Sequence, residues 1–209
     1  MAGRKKSGIL TAERQTRERK SYWRKKFLAV RERIAGLSTC AEKNARIWHK
    51  LRKLDEYKQA GVVMFYVSYS SEVDTHKMIS QAMIEGKKVY VPKVLSQKNG
   101  GNKHELGVYL LKNGLKELSK SKWGILEPVF CRAGYDNIYF NLVIVPGVVY
   151  DEKFNRIGYG GGYYDKFLSS AKYGMSVGLA YECQVVKKLP IDKNDRKVQV
   201  LITEKKVRR

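Results

Sequence analysis

From Gly61 onward, short β-branched and aromatic runs alternate with stretches of helical periodicity, and this alternation restricts the fold more than any other property of the chain. Gly61 opens Val-Val-Met-Phe-Tyr-Val67, a run of the kind buried strands use. Asp74 is placed to cap a helix containing Ile79, Ala82 and Met83, which Gly86 ends. Lys88-Val-Tyr-Val91 reads as the next strand, stopped by Pro92, and residues 96–104 read as a polar turn. Gly107–Leu111 is a third strand, and Leu142–Val145 a fourth, stopped by Pro146. A helix over 164–173, ended by Gly174, a strand from Ser176 to Tyr181 and a last strand from Val198 to Thr203 complete the series. Strands separated by crossover helices imply a largely parallel sheet covered on both faces. The expected fold class is therefore α/β, a three-layer α-β-α sandwich with a mostly parallel open sheet, Rossmann-like, preceded by N-terminal helices. Ligands of such sheets bind at the carboxyl ends of the strands, in loops that lead into helices.

The N-terminal helices show themselves by period. Trp23, Phe27, Val30, Ile34 and Leu37 recur in steps of three and four, with Gly36 near the end. Thr39 with Glu42 predicts a capping box for a second helix, which carries Ile47, Leu51 and Leu54 on one face. Residues 1–16 are basic and polar and are expected to be a flexible tail, with residues 17–209 forming one domain.

The formal net charge of +22 bears on partners. Residues 1–37 hold twelve Lys/Arg against three Glu, and residues 187–209 hold nine against three acids. Basic ends plus a site for polyanionic small molecules account for this surplus as well as nucleic acid does. No aromatic-basic RNA motif, helix-turn-helix or zinc spacing accompanies it, so nucleic acid is not expected to be the main partner. The longest apolar run, Leu142–Tyr150, contains Pro146 and Gly147 and is too short to span a bilayer. The first residues lack the apolar stretch of a secretory signal, although a short organellar transit peptide stays open. Cys40, Cys131 and Cys183 are scattered and read as reduced thiols of a cytoplasmic protein. No spare apolar stripe asks for a partner chain, so a monomer is expected.

Chemistry concentrates in one segment. Val143-Ile-Val-Pro-Gly-Val-Val-Tyr-Asp151 is a strand running into a turn, and Gly158, Gly160, Gly161 and Gly162 then crowd into five positions just before a helix. Such a loop directs backbone N–H groups at one place, which suits phosphate, although tight turns use glycine for structure alone. Arg156 adds a cation with a planar fork, and Asp165 lies in the first turn of the helix, where a carboxylate can hold Mg²⁺. A Walker A loop is excluded, because no Gly-Lys-Ser/Thr is present. His49, His76 and His104 match no catalytic pattern.

Val-Pro-Gly-Val-Val-Tyr-Asp151 followed by Arg156-Ile-Gly-Tyr-Gly-Gly-Gly-Tyr-Tyr-Asp165 resembles the hallmark of the 5-formyltetrahydrofolate cyclo-ligases. Lys20 with Arg24, Tyr66–Glu72, Val91-Pro92-Lys93, Trp123–Pro128, Ala180–Gln184 and Asn194-Asp195 extend the resemblance from about residue 20 to 203, in the same order and spacing. There are two departures. Phe154 replaces the glycine usually found before Asn-Arg, so that turn has to be made differently, and Gln199 stands where many members have an acid.

The resemblance implies an ATP-dependent ring closure of 5-formyltetrahydrofolate to 5,10-methenyltetrahydrofolate, with ADP and phosphate released. It implies ATP binding by Lys20, Arg24, Arg156, Ile157, Gly158, Tyr159, Gly160, Gly161, Gly162, Tyr163 and Tyr164. It implies folate binding by Val67, Glu72, Tyr159, Gly160, Gly161, Gly162 and Tyr163, and Mg²⁺ binding by Asp165 and Asp195. Two other classes stay open from the residues alone. One is an α/β enzyme acting on a sugar phosphate or CoA ester, with Glu72 as its nucleophile or base. The other is a basic nucleic-acid binder on the same fold.

Overall fold

A computed structural model of the chain describes residues 2–95, 105–121, 124–130 and 134–209, with residues 2–13 described by backbone alone. The polar turn expected at 96–104, together with His104, Trp123 and Cys131, lies outside the described residues. The helices in chain order are α1 (Ala2–Ala35), α2 (Cys40–Lys53), α3 (Asp55–Gln59), α4 (His76–Ile84) and α5 (Tyr163–Ser170). The strands are β1 (Val62–Met64), β2 (Lys88–Leu95), β3 (Glu105–Leu110), β4 (Leu118–Lys120), β5 (Leu126–Pro128), β6 (Tyr139–Val145), β7 (Val149–Asp151), β8 (Arg156–Ile157), β9 (Lys172–Leu179), β10 (Val185–Val186), β11 (Val200–Ile202) and β12 (Val207–Arg208).

The main sheet has seven strands in the order β12-β11-β9-β6-β1-β2-β3. Its five inner strands pair in parallel, and β12 and β3 close the edges antiparallel. Alternation along the strands divides the core into two layers. Val63, Leu142, Ile144, Val177 and Ile202 face Ile47 and Leu51 of α2 and Met78 and Ile79 of α4. Met64, Val143, Val145 and Leu201 face Phe167 and Leu168 of α5. This is the mixed α/β fold with a large, mostly parallel sheet that the alternating runs imply. A smaller sheet, β10-β7-β8, sits at one end. Phe27 of α1 is buried against Val148, Val149, Ile157 and Leu189 of that end, which is what carries the basic face of α1 to the glycine loop. Among the described residues, no helix is long and apolar enough to cross a membrane.

Several local expectations need correcting. The backbone of residues 2–16 continues α1 as helix; Lys, Arg, Glu and Gln are good helix formers and need no packing partner to extend a helix. Thr39 is the N-cap of α2 but makes no side-chain cap hydrogen bond, so the capping box with Glu42 is not formed. Glu42 pairs with Arg46 instead, and backbone bonds from Cys40 to Leu37 and from Lys43 to Thr39 close the turn. Asp74 does contribute to α4, accepting from the His76 N–H at 2.9 Å from one position before the cap, Thr75.

Strand β1 ends at Met64, with Phe65–Val67 buried beyond it. Strand β2 runs through Pro92 to Leu95. Pro92 lies beyond the stretch that pairs with β1 and pairs with Val108 of β3, so its missing N–H removes no bond on a two-sided ladder. Helix α5 stops at Ser170, because Lys172 and Tyr173 already pair with Tyr139 and Phe140 of β6. Gly174 is thus a strand residue, where a Cβ would sit 2.9 Å from the Asn141 carbonyl oxygen.

At Phe154 the residue itself takes the left-handed conformation, φ +67, that glycine adopts without strain. The buried carboxylate of Asp151 holds the turn by accepting from the backbone N–H of Lys153 and Asn155. Phe154→Gly and Phe154→Ala lose the same ring, but only glycine relieves the backbone. Urea unfolding should therefore find the glycine variant the more stable of the two, by about 1 kcal/mol. The opposite order would show the turn to be unstrained. Gln199, the other departure, accepts at Oε1 from the Ser176 N–H and lies near its hydroxyl, bracing β9.

Candidate active site

The chain leaves β6 at the carboxyl end of the sheet, passes through β7 and β8, and enters the glycine loop that ends at α5. Gly160 and Gly162 have φ of +105 and +68, values that L side chains rarely adopt, and Gly162 is the N-cap of α5. Nε of Arg24 donates to the Gly158 carbonyl at 2.8 Å, and a Cβ on Gly160 would lie 3.1 Å from Nη2 of the same guanidinium. The loop and α1 are therefore in direct contact through Arg24. Burial lowers the Arg24 pKa from its ordinary value.

Lys20, one turn before Arg24, reaches two carboxylates. Its Nζ lies 2.5 Å from Oδ2 and 2.7 Å from Oδ1 of Asp195, and 2.6 Å from Oδ2 of Asp192. Burial alone would raise the Asp192 carboxyl, but the hydrogen bonds from Lys20 and the Asn194 N–H hold it below its ordinary value. Oδ1 of Asp165 accepts from Nη2 of Arg156 and from the Arg196 N–H, both at 3.0 Å. Asp165 and Asp195 are thus joined through one peptide unit. The Arg156 side chain is only 3% exposed and supports Asp165 from inside the protein. Its Nε is buried without a hydrogen-bond partner, a donor that a ligand or a bound water would satisfy.

The second half of the site lies around Glu72, whose side chain is 8% exposed. It follows β1 at the end of a tight turn in which Ser70 has φ +55. Oε2 accepts from the Tyr69 N–H at 2.9 Å, and Oε1 lies 3.9 Å from Nη1 of Arg31. Burial raises the Glu72 carboxyl above its ordinary value, with the Tyr69 N–H, Arg31 and Tyr159 opposing the shift. Tyr159 of the glycine loop is half exposed, and its hydroxyl accepts a hydrogen bond from Nη2 of Arg31. Burial, and next the nearby Glu72, push its phenol up to about 12.

The other expected residues divide between loop and core. Val67 is buried close to Glu72 in the sequence. Ile157 is buried with Phe27 and gives its carbonyl to the Val148 N–H. Tyr164 packs against both faces of the core, and its buried hydroxyl has no partner. Tyr163 packs partly against the α5 side of the core, close beside Gly161.

Two residues escaped the sequence reading. Arg31 follows Arg24 by seven residues, so it continues the Lys20–Arg24 face two turns on; following that face would have found it. Asp192 carries no comparable signal.

Among the described residues, no group of three or more His, Cys, Asp or Glu is placed to hold a metal ion. Mg²⁺ can also be held by one or two carboxylates with phosphate oxygens and water completing its shell, and Asp165 and Asp195 are the carboxylates whose chemistry would suit that mode. A cavity of about 530 Å³ lined by Tyr90, Val108, Phe130 and Ile138 among others lies elsewhere and has Lys112 as its charged residue. The convergence of charge and strained backbone is at the glycine loop.

The sequence profile of the 5-formyltetrahydrofolate cyclo-ligase family matches residues 16–204. A probable 5-formyltetrahydrofolate cyclo-ligase of Schizosaccharomyces pombe is 33% identical over 170 residues, covering 74% of this chain and 80% of that protein. The 5-formyltetrahydrofolate cyclo-ligase of Escherichia coli is 33% identical over 151 residues, covering 71% and 80%. The NMR structure of the 5,10-methenyltetrahydrofolate synthetase of Aquifex aeolicus superposes with a TM-score of 0.73 at 35% identity, covering 91% of this chain and 92% of that one. The chain belongs to the 5-formyltetrahydrofolate cyclo-ligase family.

Proposed function

We propose that this cyclo-ligase closes 5-formyltetrahydrofolate to 5,10-methenyltetrahydrofolate with ATP, as a monomeric cytoplasmic enzyme, and that residues 17–209 form its catalytic domain. The observation that carries the assignment of parts is the bipolar build of the site. The Gly158–Gly162 loop, Arg24, Lys20, Asp165 and Asp195 make its polyanion end, while Glu72 and Tyr159 make a partly buried end suited to a flat polar ring.

The formyl oxygen of the substrate attacks the terminal phosphorus, and ADP leaves. The neighbouring secondary nitrogen then attacks the formyl carbon, loses its proton, and expels the former formyl oxygen as part of phosphate. Such transfers depend on positioning and charge stabilisation more than on a protein nucleophile. The loop N–H groups and Arg24 would hold the phosphates, with Arg156 keeping Asp165 in place. Asp165 and Asp195 would hold Mg²⁺, which supplies charge neutralisation at the phosphate oxygens. Lys20 would exchange Asp195 for phosphate oxygen when nucleotide is present. Glu72 would accept a hydrogen bond from the pterin or the reacting amide, and Tyr159 and Tyr163 would line its pocket beside Val67.

A substrate carrying heavy oxygen in its formyl group tests this chemistry. The label should appear in the released inorganic phosphate, in proportion to methenyl product. Label recovered in water would rule out phosphorylation of the formyl oxygen.

A further inference from the structure

Arg31 is a fully buried arginine, 1% exposed, whose hydrogen bonds go to three separate segments around Glu72 and Tyr159. Its Nε donates to Oγ of Ser71 at 3.0 Å and its Nη1 to the Gly147 carbonyl at 3.5 Å. Nη2 donates to the Tyr159 hydroxyl, and the guanidinium carbon lies 5.4 Å from the centre of that ring. One side chain of α1 therefore ties together the turn that carries Glu72, the Pro146-Gly147 turn after β6, and the glycine loop.

A guanidinium is costly to desolvate unless it is paired. Here the nearest carboxylate oxygen, Oε1 of Glu72, stays at 3.9 Å, beyond a direct hydrogen bond. The separation has a chemical consequence. Arg31 supplies positive charge beside Glu72 without capping Oε1, while the Tyr69 N–H fixes Oε2. The carboxyl is thus held by the Tyr69 N–H and Tyr159, with the Arg31 charge beside it and not bonded to it.

We infer that Arg31 is a positioning residue for the folate end of the site, holding the turn that carries Glu72 and the Tyr159 ring in place. This rests on the assignment of Glu72 and Tyr159 to the folate. The groups that face Glu72 are Arg31 from α1, Tyr159 from the glycine loop, Tyr66 beyond β1, Tyr150 of β7 and Tyr164 of α5. Burial raises all four phenols, so they stay neutral through the working range, and Arg31 is the charged member of the set.

The test compares Arg31→Gln and Arg31→Lys with the unaltered enzyme, measuring KM for ATP and for 5-formyltetrahydrofolate, kcat, and kcat/KM for folate against pH. Arg31→Gln should lower kcat/KM for folate about 10- to 100-fold and leave KM for ATP within about twofold. Its acid limb should move to higher pH, because Glu72 loses the charge that favours its ionised form. Arg31→Lys should keep the limb near its original position, since the charge remains, while kcat/KM still falls through the lost contacts to Ser71 and Tyr159. A purely structural role would lower activity without moving the limb. An unmoved limb in Arg31→Gln, or equal losses for ATP and folate, overturns the inference. Should Arg31→Gln fail to fold, Arg31→Lys decides by an undiminished folate kcat/KM, which overturns it, or a selective fall, which supports it. Absence of turnover by the unaltered enzyme would overturn the functional assignment as well.

Discussion

Asp165→Ala is expected to remove magnesium-supported turnover, with kcat/KM falling roughly a thousandfold or more. On the proposed assignment, Asp165 and Asp195 share the cation, so losing one would take away half of the protein's hold on it. The structure adds a second consequence. Asp165 is the carboxylate that Arg156 meets, and the Arg156 side chain is 3% exposed. Alanine leaves that guanidinium buried and uncompensated, so the variant should also lose about 2–3 kcal/mol of stability. Asp165→Asn separates the two effects. Its amide oxygen can still accept from Arg156 and from the Arg196 N–H, while it is a poor ligand for magnesium. The asparagine variant, which keeps the hydrogen bonds but not the charge, should lose less stability than the alanine variant and yet be as inactive. Activity in Asp165→Asn above about a tenth of the parent's would place the metal elsewhere.

The second large effect is at Glu72. Glu72→Gln should lower kcat/KM for folate by about 100- to 1000-fold, because a substrate N–H would meet a neutral acceptor in a buried place. Its effect on stability has a sign of its own. Burial raises the folded-state carboxyl above its ordinary value of 4.5. A raised carboxyl contributes stability below its unfolded pKa and loses that contribution as pH rises through the folded value. Relative to the glutamine variant, the parent should therefore weaken as pH climbs from 4.5, levelling off once the raised pKa is passed. Chemical denaturation of both proteins across that window measures the difference. A parent that strengthens relative to Glu72→Gln with rising pH would mean that Arg31 outweighs burial.

Much of this was legible in the residues. Short apolar runs spaced by helical periods imply the sheet and its two covered faces, because alternation along a run such as Leu142, Val143, Ile144 and Val145 assigns each side chain to one face or the other. The glycines at 160 and 162 do occupy left-handed backbone. Lys20 meets Asp195 and Arg24 meets Gly158 from one helical face, since one turn separates them and Phe27 anchors their helix.

What the residues concealed has physical reasons. Pro92 ends a strand only where both neighbours need its N–H, and whether they do depends on the partner strands. The turn at Phe154, expected to be made differently for want of a glycine, keeps the left-handed backbone that glycine would take, because the buried Asp151 imposes it. Arg31 looks like one more cation on a basic helix. Its burial follows from packing against Ser71, Gly147 and Tyr159, residues between 40 and 128 positions away in the chain.

Mixing the protein with ATP, Mg²⁺ and 5-formyltetrahydrofolate, and following the absorbance of the methenyl product, tests the assignment most directly. Product should accumulate with all three present, in equal amount to the ADP formed, and should stop when either ATP or the divalent cation is withheld. Methenyl product formed equally well without nucleotide, or none formed with any metal or pH tried, would contradict it.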